Sequence, residues 1–205
     1  MDISKKLTEE LGVQRWQVEA AVKLIDEGNT IPFISRYRKE ATGSLNDEVL
    51  RNLHERLTYL RGLEDKKNQV LGSIEDQGKL TEELKTQILA AETLVAVDDL
   101  YRPYRPKRRT RATIAKEKGL DGLADVIRLQ LTKKPLEEEA VAYLSEEKGV
   151  LTTADAIAGA GDILAEAISD EADYRAYIRK ATLDEGQLLS EAKDEKAQTV
   201  YEMYY

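Results

Sequence analysis

Apolar residues along this chain recur every three or four positions, the spacing that lines one face of an α-helix. Val13, Trp16, Ala20, Ala21, Leu24 and Ile25 fall on one side of a helix that Gly28-Asn29 ends. Pro32, tolerated in a first turn, opens a short segment Pro32–Arg38. Residues 41–44 read as a turn, and Ser44 with Asp47 is spaced like a capping box with Asp in place of the usual Glu. From Asn46 to about Gln77, the residues Leu50, Leu53, Leu57, Leu60, Leu63, Val70, Leu71 and Ile74 predict one helix. It would be about 45 Å long at ~1.5 Å per residue. Gly62 and Gly72 each weaken such a helix by about 1 kcal/mol relative to Ala, which leaves room for a bend or break. The pattern fits half of an antiparallel helical pair better than a free coiled coil.

Gly78 ends that element and Thr81 caps another to about Ala91. Thr93–Tyr101 places Leu94, Val97 and Leu100/Tyr101 on one side of a short helix. Pro103 and Pro106 each push the preceding residue out of the α region and predict an extended segment. One or two helical turns then cover Thr113–Lys118. Amphipathic stretches follow near Leu120–Leu131, Pro135–Leu144, Ala154–Ile168 and Ala172–Lys180, and no window alternates as a strand. The expected fold class is all-α: a multi-helical array with a helix-turn-helix-like N-terminal part, one long helix and a proline-stiffened basic loop. Its expected sub-parts are 1–44, 45–119 and 120–205.

Charge changes the picture at one place. The 205-residue chain carries a formal net charge of −8. Residues 1–100 sum to −5, residues 101–119 to +7, and residues 120–205 to −10. A basic stripe between acidic stretches is either a polyanion contact or a clamp for the protein's own carboxylates. On the first reading, Arg102, Arg105, Lys107, Arg108, Arg109 and Arg111 follow a phosphate chain while Tyr101 and Tyr104 stack on bases. On the second, the same cations hold acidic helix faces such as Glu92, Asp98 and Asp99. A second cluster, Arg36, Arg38 and Lys39, ends the pair Gln14–Glu27 and Pro32–Arg38. That pair has the lengths of a helix-turn-helix, but two short packed helices produce the same pattern.

Nothing forms a catalytic set. Asp98 and Asp99 are helix neighbours and do not share a face, so they do not converge on one ion. His54 is the sole histidine and has no partner for a dyad or metal site. Gly159-Ala-Gly161 lacks the spacing and strand context of a phosphate loop and suits close helix approach instead. The expectation is a non-enzyme with no cofactor, metal or small-molecule substrate. No Cys is present, which excludes disulfides and suits a reducing cytoplasm. No apolar run approaches the ~20 residues of a membrane span. Ten Tyr stand against one Phe and one Trp, so most rings carry a hydroxyl that needs water or a partner.

Two stretches go beyond a generic helical protein: Ile31-Pro-Phe-Ile-Ser-Arg-Tyr-Arg-Lys-Glu-Ala-Thr-Gly-Ser-Leu45, and residues 98–120, which open Asp98-Asp-Leu-Tyr-Arg-Pro-Tyr-Arg-Pro-Lys-Arg-Arg109. Both closely resemble the N-terminal region of the bacterial transcription accessory protein Tex family. Ala160-Gly-Asp-Ile-Leu-Ala-Glu-Ala-Ile-Ser169 is similar to a later helix of that family, so the resemblance spans nearly the whole chain in order. Residues 190–196 depart from the more basic stretch usual there.

The resemblance implies a helical region with a helix-turn-helix-like portion, in a much longer parent. That parent continues with a ribonuclease-H-like module, helix-hairpin-helix elements and an S1 RNA-binding domain, on which nucleic-acid binding strongly depends. The aromatic-rich end, Val200-Tyr-Glu-Met-Tyr-Tyr205, agrees with a fragment. The expected partners are RNA or DNA in the full-length protein, the chain's own C-terminal modules and the transcription machinery. The expected function is a non-catalytic helical scaffold with auxiliary phosphate contacts; the alternative is a protein–protein or interdomain scaffold that never touches nucleic acid.

Overall fold

A computed structural model describes residues 2–194 and 198–204, and all regular structure among them is helical. Glu195 and Lys196 of the divergent stretch, and the terminal Tyr205, lie outside the described residues. A lone antiparallel bridge joins Ser145 and Val150. No described helix is long and apolar enough to cross a membrane. The chain divides after Tyr104 into two compact units. This cuts the sequence differently from sub-parts 1–44, 45–119 and 120–205. The first helices share a core with the long helix, so no boundary falls near residue 44.

The first unit comprises α1 (Ile3–Leu11), α2 (Arg15–Asp26), α3 (Ile31–Tyr37), α4 (Lys39–Thr42), α5 (Asp47–Asp76), α6 (Glu82–Ala90) and α7 (Leu94–Tyr101). Its spine is α5, which runs unbroken for 30 residues past both glycines. Leu60 and Leu63 flank Gly62, and Val70 and Ile74 flank Gly72. All four are buried, and their burial outweighs the glycine cost of about 1 kcal/mol each. Among the described residues no single antiparallel partner runs the length of α5. Instead α1, α2 and α3 cover the first half of α5, where Leu7, Val18, Ala21 and Ile34 meet Leu50, Leu53, Leu57 and Leu60. Helices α6 and α7 cover the second half, where Leu84, Ile88 and Val97 meet Leu63, Val70 and Ile74.

Three local expectations change. Asn46, not Ser44, caps α5: its side chain accepts a 2.8 Å hydrogen bond from the Val49 N–H, with Asp47 and Glu48 in the first turn. Ser44 has φ 62° and completes the chain reversal begun at Gly43, so it stands too early to cap. Thermal melting should therefore find that Asn46→Ala costs about 1 kcal/mol, whereas Ser44→Ala costs no more than about 0.5 kcal/mol. Trp16 is not on the buried face of α2; Val18 and Ala21 are. Its ring lies across Gly43, where a β-carbon would come within 2.4 Å of it, and stays 53% exposed.

The third change concerns Arg102, which keeps helical angles (φ −53°, ψ −43°) despite preceding Pro103, and residues Arg102–Tyr104 form a 3₁₀ turn. Packing of the Tyr101 and Tyr104 rings on the second core overrides the pre-proline bias. Irregular backbone begins only after this turn.

The second unit holds α8 (Arg111–Glu117), α9 (Asp121–Leu129), α10 (Leu136–Ala140), α11 (Thr153–Asp170) and α12 (Ala172–Glu185). Small residues Ala112, Ala115, Ala156 and Ala160 bring α8 and α11 together around Leu120 and Leu123. Gly159 serves the close approach expected of it, since a β-carbon there would stand 2.4 Å from Leu120 Cδ1. Gly161 faces open space.

Candidate nucleic-acid interface

The basic stripe spans the boundary between the units, so each part takes its position from its own unit. In the first, Tyr101 ends α7 half-buried, and its hydroxyl lies 2.9 Å from Ser73 Oγ on α5. The Tyr104 carbonyl accepts a 3.0 Å hydrogen bond from Gln77 Nε2, just past the end of α5. Both expected stacking rings thus lean on the core formed with Leu63, Val70 and Ile74. Arg102, in the turn between them, is exposed and engaged within the protein.

In the second unit, segment 107–111 runs antiparallel to α11. Asp162, Glu166 and Asp170 recur every fourth residue and form one acidic row along that helix. Lys107 Nζ pairs with Asp170 and lies 3.1 Å from Glu166 Oε1. Thr110 Oγ1 donates to Glu166 Oε2 at 2.8 Å and accepts from the Thr113 N–H at 3.0 Å, capping α8 while tying it to α11. Arg111 Nε stands 3.7 Å from Asp162, a loose contact with the arginine side chain 86% exposed.

Burial disfavours the Lys107 charge, but hydrogen bonds to Asp170 and Glu166 outweigh it and hold the ammonium pKa above the ordinary lysine value. Burial likewise opposes the Glu166 charge. The Thr110 hydroxyl and the Lys107 ammonium overcome it, and the carboxyl pKa is lowered.

The clamp therefore exists, and for Lys107, Thr110 and Arg111 its acids lie on α11 rather than at Glu92 or Asp98. Glu92 pairs with Lys6 at 2.8 Å and Asp98 with Lys66 at 3.0 Å, while Asp99 is buried. Sequence reasoning missed Asp162, Glu166, Asp170 and Thr110; the every-fourth-residue acidic spacing along α11 is a signal for the three acids. Arg105 and Arg108 are exposed, with no carboxylate among the described residues at ion-pair distance. Arg109 reaches Glu117 at 2.6 Å and remains 66% exposed. Exposed pairs of this kind contribute about 0–1 kcal/mol and yield readily to another anion.

The second cluster sits at the end of α3. Arg36, Arg38 and Lys39 are exposed, and the Arg38 guanidinium lies 5.2 Å from the centroid of the Phe33 ring. His54 is exposed on α5. Among the described residues no three His, Asp or Glu side chains gather as a metal site would require.

Comparison with known proteins agrees with this architecture. A family model described as "Tex-like protein N-terminal domain" matches residues 1–75, and one described as "Tex central region-like" matches residues 131–205. The chain is 46% identical to transcriptional accessory protein Tex of Neisseria gonorrhoeae, over 96% of this chain and 26% of that protein. It is 43% identical to the protein YdcI of Bacillus subtilis, over 99% of this chain and 29% of the relative. It is also 31% identical to human S1 RNA-binding domain-containing protein 1, over 87% of this chain and 18% of that protein. The chain thus spans less than a third of the length of these relatives. Two family matches and near-complete alignment with proteins several times longer make this chain a member of the Tex-like family, corresponding to its N-terminal and central region.

Proposed function

We propose that this chain is a non-catalytic helical support of a Tex-like protein and adds auxiliary phosphate contacts through the outward cations of segment 105–111. The observation that carries this reading is a division of labour within seven residues. Lys107 and Thr110 tie the segment to α11, while Arg105, Arg108, Arg109 and Arg111 stay exposed. Anchored backbone with solvated guanidiniums suits an anionic strand, because little ordering entropy remains to be lost on binding. The relatives named for transcription and for RNA binding make RNA or DNA the natural polyanion in the full-length protein.

The test is salt dependence of binding, measured by anisotropy on a labelled duplex. If about five phosphates are engaged, log affinity falls against log salt with a slope near −4.5. Charge reversal at Arg108 and Arg109 should reduce the slope's magnitude by about 1.8, with the fold intact by circular dichroism. An unchanged slope in the folded variant rejects the contact.

The alternative is an interdomain scaffold with no nucleic-acid contact, and the engagement of Lys107 and Tyr101 within their own units favours it. On that reading the folded chain shows no salt-dependent binding of the duplex, and the reversal changes nothing that anisotropy detects.

A further inference from the structure

Helix α3 buries Ile34 against the core and turns Phe33, Arg36 and Tyr37 outward. Phe33 and Tyr37 stand one turn apart, with ring centroids 5.3 Å from each other and planes inclined by 43°. Arg38 covers part of Phe33, and Tyr37 is 67% exposed. Arg36, Arg38 and Lys39 surround Tyr37 in sequence, and no carboxylate among the described residues lies at ion-pair distance from them. Among the described residues the side chains of these two rings and three cations make no hydrogen bond or ion pair except that of Arg38 to the Tyr37 carbonyl.

A helix that reads duplex DNA presents polar side chains from its first residues to base edges in the major groove. Here α3 begins Ile31-Pro32-Phe33, and these side chains offer neither donors nor acceptors. The same helix-turn-helix outline therefore carries the wrong chemistry for edge readout. It carries the right chemistry for unpaired bases, whose flat faces stack on aromatic rings while nearby cations hold the backbone.

We propose that the outer face of α3, Phe33 and Tyr37 with Arg36, Arg38 and Lys39, is a stacking platform for single-stranded nucleic acid. This rests on the polyanion reading above and narrows it. A base stacks on the open face of Tyr37, and the adjoining phosphates meet the three cations.

The experiment uses the whole chain with single-stranded RNA and DNA oligonucleotides carrying 2-aminopurine, and with the matching duplex. The wild-type chain should bind the single strands more tightly than the duplex and change the 2-aminopurine emission on binding. Tyr37→Ala should weaken single-strand binding at least about tenfold and abolish the emission change. Tyr37→Phe, which keeps the ring, should retain both. Binding of RNA and DNA alike supports the proposal through shared base and phosphate chemistry, and a preference for either names the strand type.

The proposal fails if folded Tyr37→Ala binds and quenches as the wild type does, or if duplex is preferred. The Arg108 and Arg109 reversal, run in parallel, separates the two readings. A flattened salt slope there with an unaffected Tyr37→Ala removes the platform and leaves the proposed function standing. No binding to any strand removes both.

Discussion

Replacing Lys67 by alanine should lower the stability of the first unit by about 3–5 kcal/mol, the sum of the cavity it leaves and the buried hydrogen bond it removes. Lys67 lies inward on α5 with its side chain only 3% exposed. Its ammonium donates a 2.8 Å hydrogen bond to the Leu89 carbonyl and stands 3.2 Å from Glu64 Oε1. Leu89 is in the last turn of α6, where carbonyls have no helical partner and the helix dipole is negative. One side chain thus joins the spine to the end of a neighbouring helix.

Alanine would leave a cavity and a buried carbonyl without its donor. Lys67→Met, which keeps most of the volume, should cost less, about 1–3 kcal/mol for the lost hydrogen bond and charge. At about 2–4 °C per kcal/mol, the alanine variant should melt some 6–20 °C lower. Equal melting of wild type and alanine variant would show that Lys67 points to water.

The second large effect lies at the clamp. Lys107→Ala should cost about 2 kcal/mol, between the value of an exposed pair and that of a buried one, because its side chain is 29% exposed and that of Asp170 10%. Its removal also leaves Glu166 and Asp170 as like charges on one helix face. The resulting fall in melting temperature, about 4–8 °C, should be partly recovered by Lys107→Arg, which preserves the charge.

The pH dependence has a defined direction. Glu166 is held below the ordinary value of 4.5 by the Thr110 hydroxyl and Lys107, which overcome the opposing effect of burial. Its contribution is therefore complete above 4.5 and declines as pH falls through the lowered value. Lys107 is held above 10.5, so its contribution is complete below 10.5 and declines only as pH rises beyond it. The stability difference between wild type and Lys107→Ala should be steady from about pH 5 to 10 and shrink in acid. A difference that grew on acidification would contradict the geometry.

Much of the fold was legible because helical periodicity is local. The stripe from Leu50 to Ile74 predicted α5 almost to the residue, and Thr81 appears as the cap expected, its hydroxyl accepting from the Leu84 N–H. What failed locally did so by one or two positions: Ser44 instead of Asn46, Trp16 instead of Val18. Two positions are about 200° around a helix, so Trp16 and Val18 lie on opposite sides, and the neighbours that cover α2 decided which of them faces inward. Arg102 shows the same override, since two buried-side tyrosines outweigh a steric preference of the proline that follows.

By itself the sequence determined that the chain is helical, that an apolar stripe runs from Leu50 to Ile74, and that cations concentrate in residues 101–119. These follow from spacing and composition within a few turns. Tertiary structure alone decided which cations are tied down and which face water. Lys107 meets an acid 59 residues away, and Lys67 a carbonyl 22 residues away. Electrostatic partnership falls off within a few ångströms, whereas distance along an unfolded chain says almost nothing about distance in space.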